Sequence, residues 1–511
     1  MSEKPAGFEP LQEKSSSKHI GFFLLLVLLA LVVRTIDISQ KELWYDELQS
    51  VTYAILPPGD LMKSVVQFDP HPPLYYLQLH YWMLIGTGDV WIKLNSVFWS
   101  VLSILSIYLI GRNLYSEGVG KLAAIFLLCS PFSIAYAQEA RMYSLLIFLG
   151  LWVFFFTHKF AHGQRSRMIT IGLVISTLAF LYCHGAAFII LFSTLSYSII
   201  GMLESRAENT PRKNIFLRWL ILLLIVVLLY LPWLQYGLTK SAGHAQSPDA
   251  ENIATTISFL LLGFGAFPGW FRWAVALVTI FALLVPIYHR KGRNLAFSFI
   301  LIPIMVCAVI SLFVKPIWMS RTFAFTIPFI FLSLAYSIWR TIPSNPAQRR
   351  ERNMRLGISF LVCTAMVFSW INQQVTFSYP WKIKEAAEEI KAIAKPQERI
   401  YIPYERMFWG FSWYFVGPGS VNPLTSDYVI RTAEDIVLYS QKARRSDVVD
   451  NLCYWLVYRQ IEGSTQYPLG KEEMAIAGFV LRDDDISPFA KSATRKEYNQ
   501  LMVEYVCAMD P

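Results

Sequence analysis

Long apolar runs, separated by short polar segments, occupy most of the chain up to about residue 372. A helix that crosses a bilayer needs about 17 to 25 apolar residues. Runs of this length lie near residues 20–36, 90–110, 121–138, 142–158, 168–184, 186–203, 215–233, 271–289, 295–313, 322–339 and 356–372. The pattern therefore predicts a polytopic α-helical membrane protein with about 11 to 13 transmembrane helices.

Two further apolar segments fit the membrane surface better than its interior. The segment from Leu74 to Gly86 is short and rich in Tyr and Trp, which is typical of an interfacial helix. The segment from Ile253 to Trp270 is interrupted by Gly263, Gly265, Pro268 and Gly269. We predict that it is also interfacial. The alternative is a twelfth span, which would move the carboxyl terminus to the other side of the membrane.

The composition supports a membrane protein and a defined orientation. The 511 residues are 55% hydrophobic and 16% charged, which is far from the average of a soluble domain. The net charge of +9 does not indicate a nucleic-acid partner, because many basic residues cluster between spans, at 112–121, 159–167, 206–218, 289–293 and 340–355. By the positive-inside rule these loops are cytoplasmic. We expect a multi-pass plasma (inner) membrane protein with a cytoplasmic amino terminus.

The pattern changes after residue 372. Lys384 to Ala394 has helical spacing, Arg399 to Pro403 predicts a short strand, and Asp447 to Val457 predicts a turn and a strand. We predict a transmembrane module over 1–372 and a small extracytoplasmic α/β domain over 373–511. Cys453 and Cys507 lie in this domain, either as a disulfide or as free thiols.

The first predicted outer loop, about 37–89, contains an unusual group of carboxylates. Asp46 and Glu47 precede a short helical pattern that Pro57 ends. An aspartate at a helix start can cap the helix, which is the structural explanation. Because the pair directly follows a membrane span, a catalytic role is the alternative explanation.

A second polar group follows in the same loop, in the sequence Asp69-Pro-His-Pro-Pro73. The prolines predict the first turn of a helix, and His71 and Asp69 would lie beside its amino terminus, where an anion such as phosphate is favoured. The alternative is a rigid loop with an incidental histidine. No metal-ligand spacing is evident, although Asp46, Glu47 and Asp69 leave a divalent metal open.

A third group lies at the predicted outer end of the third span and comprises Glu139, Arg141 and Tyr143. Charges at a membrane edge are costly unless they are paired or functional. One interpretation is that Arg141 binds a lipid-linked phosphate while Glu139 lines the site. The alternative is that the two charges pair with each other or with a lipid headgroup. Arg321 is a second phosphate candidate or an interfacial anchor.

Taken together, these motifs resemble a known family. The stretches Trp44–Glu47, His71–Tyr76 and Ala137–Tyr143 are similar to those of the GT-C integral-membrane glycosyltransferases. Within them, the match is to the group of protein O-mannosyltransferases and aminoarabinose lipid A transferases (glycosyltransferase family 39 type). The resemblance implies a GT-C fold, Asp46 as catalytic base with Glu47 as its acidic neighbour, and Arg141 near the lipid phosphate.

The resemblance also implies an activity. A mannosyltransferase-like enzyme of this kind transfers a sugar, with inversion, from a polyprenyl-phosphate donor to a hydroxyl of a protein, lipid or glycan at the outer face. The partners would be this donor, membrane lipid and an acceptor that the sequence leaves open, with no cofactor firmly implied. The alternatives are a lipid or glycan transporter or flippase, and a lipid-linked glycan polymerase or ligase.

Overall fold

A computed structural model describes most of the membrane part and portions of the rest. The described residues are 16–376, apart from 165, 205–211, 238–239, 241–244, 246, 264–266 and 342–348. In the C-terminal part they are 382–394, 396, 399–402, 405–422, 424, 429–432, 437–440, 453–459, 496–498 and 501–507. His244 lies outside the described residues.

Helices form most of the described chain. Seventeen precede the C-terminal part: α1 Ser16–Thr35, α2 Tyr45–Ala54, α3 Pro58–Phe68, α4 Leu74–Met83, α5 Asp89–Leu114, α6 Glu117–Cys129, α7 Pro131–Ala137, α8 Tyr143–Ala161, α9 Arg167–Leu181, α10 Ile189–Glu204, α11 Arg212–Gly237, α12 Ala250–Leu262, α13 Gly269–Tyr288, α14 Arg290–Ala296, α15 Ile302–Phe313, α16 Ile327–Thr341 and α17 Arg349–Thr376. A π-helical turn, Phe297–Leu301, joins α14 to α15, and a 3₁₀ segment, Ser320–Thr326, precedes α16.

The prediction of a polytopic α-helical membrane protein is confirmed. Among the described residues, eight helices are long and apolar enough to cross a membrane, and the bent pair α6 and α7 makes a ninth. The predicted spans near 168–184 and 186–203 fall on α9 and α10, which are shorter. The two predicted interfacial segments contain the short helices α4 and α12.

A buried arginine holds the bend between α6 and α7, which is 60°. Pro131 has no N–H, so the carbonyl of Leu127, four residues earlier, loses its helical donor. Arg34 supplies one: Nη2 donates to Leu127 O at 3.1 Å and Nη1 to Leu128 O at 3.3 Å. Arg34 Nε also donates to Ser100 Oγ at 2.7 Å. This fully buried side chain thereby joins α1, α5 and α6.

The C-terminal part contains two helices and a sheet. Helix α18 covers Ile383–Ile393 and α19 covers Glu405–Phe415. The strands are β1 Arg399–Ile402, β2 Val429–Arg431, β3 Val437–Ser440, β4 Cys453–Arg459, β5 Lys496–Tyr498 and β6 Leu501–Cys507. They form one sheet in the order β2-β3-β1-β4-β6-β5, with β1 parallel to β3 and β4.

The register of this sheet bears on the two C-terminal cysteines. Cys453 on β4 is the backbone partner of Cys507 on the antiparallel β6. Their side chains are outside the described part of the structure, so disulfide and free thiols both stay open. The domain boundary at residue 372 likewise stays a prediction.

Polar contacts connect α18 and α19 to the first loop. The backbone N–H of Lys384 donates to Glu42 Oε2 at 3.0 Å, and Lys384 Nζ lies 3.2 Å from Asp89 Oδ2. The hydroxyl of Tyr414 donates to Asp89 Oδ2 at 3.3 Å and accepts the N–H of Leu43 at 2.8 Å. The C-terminal helices thus fix the residues immediately before α2.

Replacing Arg34 by Met should destabilise the protein by at least about 2 kcal/mol, because buried acceptors lose their donor. The measurement is the midpoint of thermal denaturation in detergent. Arg218→Met is the matched control, since Arg218 is exposed on α11. Equal midpoints for the two variants would contradict a structural role for Arg34.

Candidate active site

The helix that carries the first-loop carboxylates begins at Tyr45, and its amino terminus is held by Glu47. Glu47 Oε2 accepts the backbone N–H of Trp44 at 3.0 Å. The structural explanation, in which Asp46 caps the helix, is therefore wrong. Glu47 is the third residue of the helix, and a side chain at that position reaches back to the N–H groups at the helix start better than one at the second position, such as Asp46. Asp46 is left to make a tertiary contact.

Asp46 forms an ion pair with Arg321 across 275 residues of sequence. Arg321 Nη1 lies 3.1 Å from Asp46 Oδ2, and the two side chains are 27% and 17% exposed. Arg321 is therefore engaged with a carboxylate, and this contact favours a site residue over a membrane anchor. The partial exposure leaves Asp46 accessible to a ligand.

Glu47 has the opposite environment, although it is the next residue. It is completely buried, Oε1 accepts the N–H of Ala140 at 2.6 Å, and Lys93 Nζ lies 3.9 Å from Oε2. Burial raises the pKa of Glu47, while Lys93 and the backbone donors lower it, and the net shift is upward. Glu47 joins the first loop to the loop between α7 and α8.

Arg141 supports the start of α2 from that second loop. Its Nη1 donates to the backbone carbonyl of Asp46 and to Ser50 Oγ, both at 2.9 Å. Arg141 is 3% exposed, and its Nε has no hydrogen-bond partner among the described residues. No ion pair with Glu139 is found in the described part of the chain, so the two charges do not neutralise each other by direct contact.

Glu139 is a buried acid beside other acids. Burial, followed by the nearby Glu47 and Asp46, raises the pKa of Glu139 to about 8. Its Oε2 has no hydrogen-bond partner within the described residues, and the same holds for the hydroxyl of Tyr143. Buried polar atoms without partners carry a free-energy cost, which a polar ligand would relieve.

Asp69 and His71 lie in the turn between α3 and α4, and the prolines that follow His71 come directly before α4 instead of forming its first turn. Asp69 Oδ1 accepts the N–H of His71 at 2.7 Å, and Oδ2 accepts from Gln49 Nε2 at 3.0 Å. Burial, and then His184, lowers the pKa of His71 well below its usual value. His71 is therefore neutral, and Nδ1 accepts the N–H of Gly185 at 3.2 Å.

Three contributors were not selected from the sequence. Lys93 lies in α5 and donates to the carbonyls of Lys41 and Glu42. A lysine inside an apolar run indicates a functional or paired charge, so the sequence could have identified it. Lys240 donates to the carbonyl of Asp69 at 2.7 Å, and no local pattern indicates this contact. The ring of His184 lies 4.6 Å from the ring of His71, measured between centroids.

The carboxylates do not form a metal-ligand set. Among the residues that the structure describes, no group of three or more His, Cys, Asp and Glu side chains is arranged to hold a metal ion. Asp46, Glu47 and Asp69 instead make the separate contacts given above. What the arrangement offers is an accessible carboxylate, surrounding cations and buried hydrogen-bonding groups.

All of these residues lie at one end of the helix bundle. Asp46 follows α1, Lys93 is in the first turns of α5, Glu139 and Arg141 connect α7 to α8, and Arg321 starts the segment leading into α16. The predicted basic loops connect the opposite ends of the same helices, between α5 and α6 and between α8 and α9, for example. The tertiary structure therefore collects the candidate residues at the end away from the basic loops.

Known proteins share this arrangement of helices. The model of the family Dolichyl-phosphate-mannose-protein mannosyltransferase matches residues 70–236, whereas the curated proteins give no match. The chain is similar to the crystal structure of ArnT from Cupriavidus metallidurans in the apo state, with a TM-score of 0.62, 12% identity and coverage of 96% of this chain and 98% of that chain.

A second crystal structure, of ArnT from Cupriavidus metallidurans bound to undecaprenyl phosphate, gives a TM-score of 0.60 at 12% identity, with coverage of 95% and 98%. The likeness extends over nearly the whole of both chains, so the fold expected from the resemblance is confirmed. The chain therefore has the GT-C fold, and the family model matches within its transmembrane part.

Proposed function

We propose that the protein transfers a sugar from a polyprenyl-phosphate donor to an acceptor hydroxyl at the outer face of the membrane, with inversion at the anomeric carbon. The observation that carries this proposal is an accessible carboxylate, Asp46, held by Arg321 at 3.1 Å within a largely buried group of charges. The binding of undecaprenyl phosphate by the structurally similar ArnT supports a donor of this class.

Asp46 is the catalytic base in this proposal. It is the more exposed of the two adjacent acids, whereas Glu47 is completely buried with its oxygens engaged by backbone donors. Asp46 accepts the proton of the acceptor hydroxyl as the new glycosidic bond forms and the bond to phosphate breaks. General-base assistance of this kind contributes about 10²–10⁴-fold. Glu47 positions the helix that carries Asp46.

The charges around Asp46 suit a phosphodiester. Arg141, Arg321 and Lys93 bring three basic side chains to this group, and Glu139 is mainly neutral below pH 8. Basic side chains at this place favour a negatively charged donor phosphate. Arg321 and the unpartnered Nε of Arg141 would stabilise the charge that develops on the leaving phosphate.

The hydrogen-bonding groups without partners suit the sugar. Glu139 Oε2 and the Tyr143 hydroxyl are buried beside the charged group. A neutral Glu139 can donate to a sugar or phosphate oxygen, whereas an ionised one would repel the phosphate. Asp69, which contacts α2 through Gln49, and His71 would line the donor pocket. His71 is neutral and would act as a hydrogen-bonding group there.

The orientation follows from the basic loops. Because they lie at the end of the bundle opposite Asp46, the positive-inside rule puts the active site and the C-terminal part outside the cytoplasm and the amino terminus inside. A transporter would be expected to have its polar residues near the middle of the membrane. The collection of charges at one end of the helices favours an enzyme.

Replacing Asp46 by Asn should lower the transfer rate at least about 100-fold, because the base is lost while the side-chain shape is kept. The measurement is the transfer of radiolabelled sugar from a panel of polyprenyl-phosphate sugars by membranes containing equal amounts of folded protein. Asp60→Asn is the matched control, since Asp60 is a partly exposed aspartate in α3 that pairs with Lys63. Retained activity in Asp46→Asn would exclude this residue as the base.

The rate should also fall as the pH rises through about 8, because Glu139 then ionises beside Asp46 and Glu47. In Glu139→Gln a neutral amide replaces the neutral acid, so the variant should keep its rate below pH 8 and lack the alkaline decline. The measurement is the transfer rate on both sides of that pH. An unchanged alkaline decline in Glu139→Gln would assign it to another group.

A further inference from the structure

A large groove opens at the end of the bundle opposite the candidate active site. Its volume is about 1010 Å³, and it lies between the start of α6, the end of α16 and the start of α17. Leu122, Ile125 and Ile338 form apolar walls. Leu356 and Phe360 line it from α17 and are 62% and 70% exposed, so the groove opens toward the surface that faces lipid.

The mouth of the groove is built around a stacked arginine. Gly118 has no Cβ, and a Cβ there would overlap the indole of Trp339. The indole therefore packs against α6 at Gly118 and supports the guanidinium of Arg355, whose central carbon is 4.6 Å from the ring centroid. Arg355 Nη2 also donates to the carbonyl of Trp339 at 3.0 Å. These contacts hold a cation at a fixed place in the groove lining.

The charge at this mouth is positive. Lys121 lines the groove beside Arg355 and pairs with Glu117 at 2.6 Å, so two basic side chains and one acid lie at this mouth. In the sequence, five arginines and a single acid, Glu351, lie between residues 340 and 355. Basic pockets between transmembrane helices are a recurring form of site for anionic lipid headgroups.

We propose that this groove binds an anionic two-chain phospholipid of the bilayer. Its phosphate would contact Arg355 and Lys121, and its acyl chains would lie along Leu122, Ile125 and Phe360. A cavity of this size is at the upper end of ordinary ligand pockets, which suits a lipid. A polyprenyl donor is less suitable, because its phosphate must reach Arg321 and Arg141 at the other end of the helices.

The test compares lipids on the purified, delipidated full-length protein. Phosphatidylglycerol should raise the midpoint of thermal denaturation more than phosphatidylcholine does. Arg355→Gln should require about tenfold more phosphatidylglycerol for half-maximal protection, because a charge-assisted contact is lost. Gly357→Phe should weaken protection with every charge intact, since Gly357 lines the groove with open space beside its Cα.

Arg272→Gln is the matched control, because it removes one arginine charge at the other end of the bundle, where Arg272 pairs with Glu251 at 2.9 Å. Equal protection by the two phospholipids would overturn the proposal. So would an equal loss in Arg272→Gln, which would indicate a general effect of surface charge. Stronger protection by polyprenyl phosphate, lost in Arg355→Gln, would assign the groove to the carrier instead. If Arg355→Gln does not fold, the test uses Gly357→Phe and Lys121→Gln, and unchanged protection by phosphatidylglycerol in both variants would overturn the proposal.

Discussion

The side chain of Glu47 is completely buried. Burying a carboxyl group costs free energy unless hydrogen bonds and nearby charges replace its hydration. The backbone N–H groups of Trp44 and Ala140 and the nearby Lys93 supply that replacement. Each partner comes from a different place: the start of α2, the loop before α8, and α5. These three contacts of one buried group hold the first loop against the bundle, and the adjacent Asp46 pairs with Arg321.

The environments of Asp46 and Glu47 show how neighbouring acids can take different roles. Glu47 is enclosed and engaged, so it suits the positioning of α2. Asp46 is partly exposed and held by a single long-range ion pair, so it suits contact with a ligand. Glu139 adds a third environment, in which burial and neighbouring acids keep a carboxyl neutral up to about pH 8. Three acids thus provide an anchor, a candidate base and a candidate hydrogen-bond donor.

The two ends of the helix bundle have different side chains, because the chain passes from one end to the other with each spanning helix. At one end, loops from four parts of the sequence bring buried polar groups together, and Tyr414 and Lys384 from the C-terminal helices brace the residues before α2. At the other end, Arg355 is stacked on Trp339 beside an apolar groove. A lipid at that groove would contact α16, the helix that follows Arg321, so it would touch the same helix as the candidate site.

Local rules, acting through apolar length and proline position, were enough to predict much of the molecule. The length of each apolar run predicts a spanning helix, and the basic loops predict which helix ends lie on the same side. The double proline after His71 predicts the start of α4. Each of these features depends on neighbouring residues alone. The family resemblance directed attention to Asp46 and Glu139. The sequence could not show that Glu47 rather than Asp46 caps α2, that Arg321 pairs with Asp46, or that Lys240 reaches Asp69. Those contacts join residues separated by up to 275 positions, and they follow from how helices pack, which decides the partner of each buried charge.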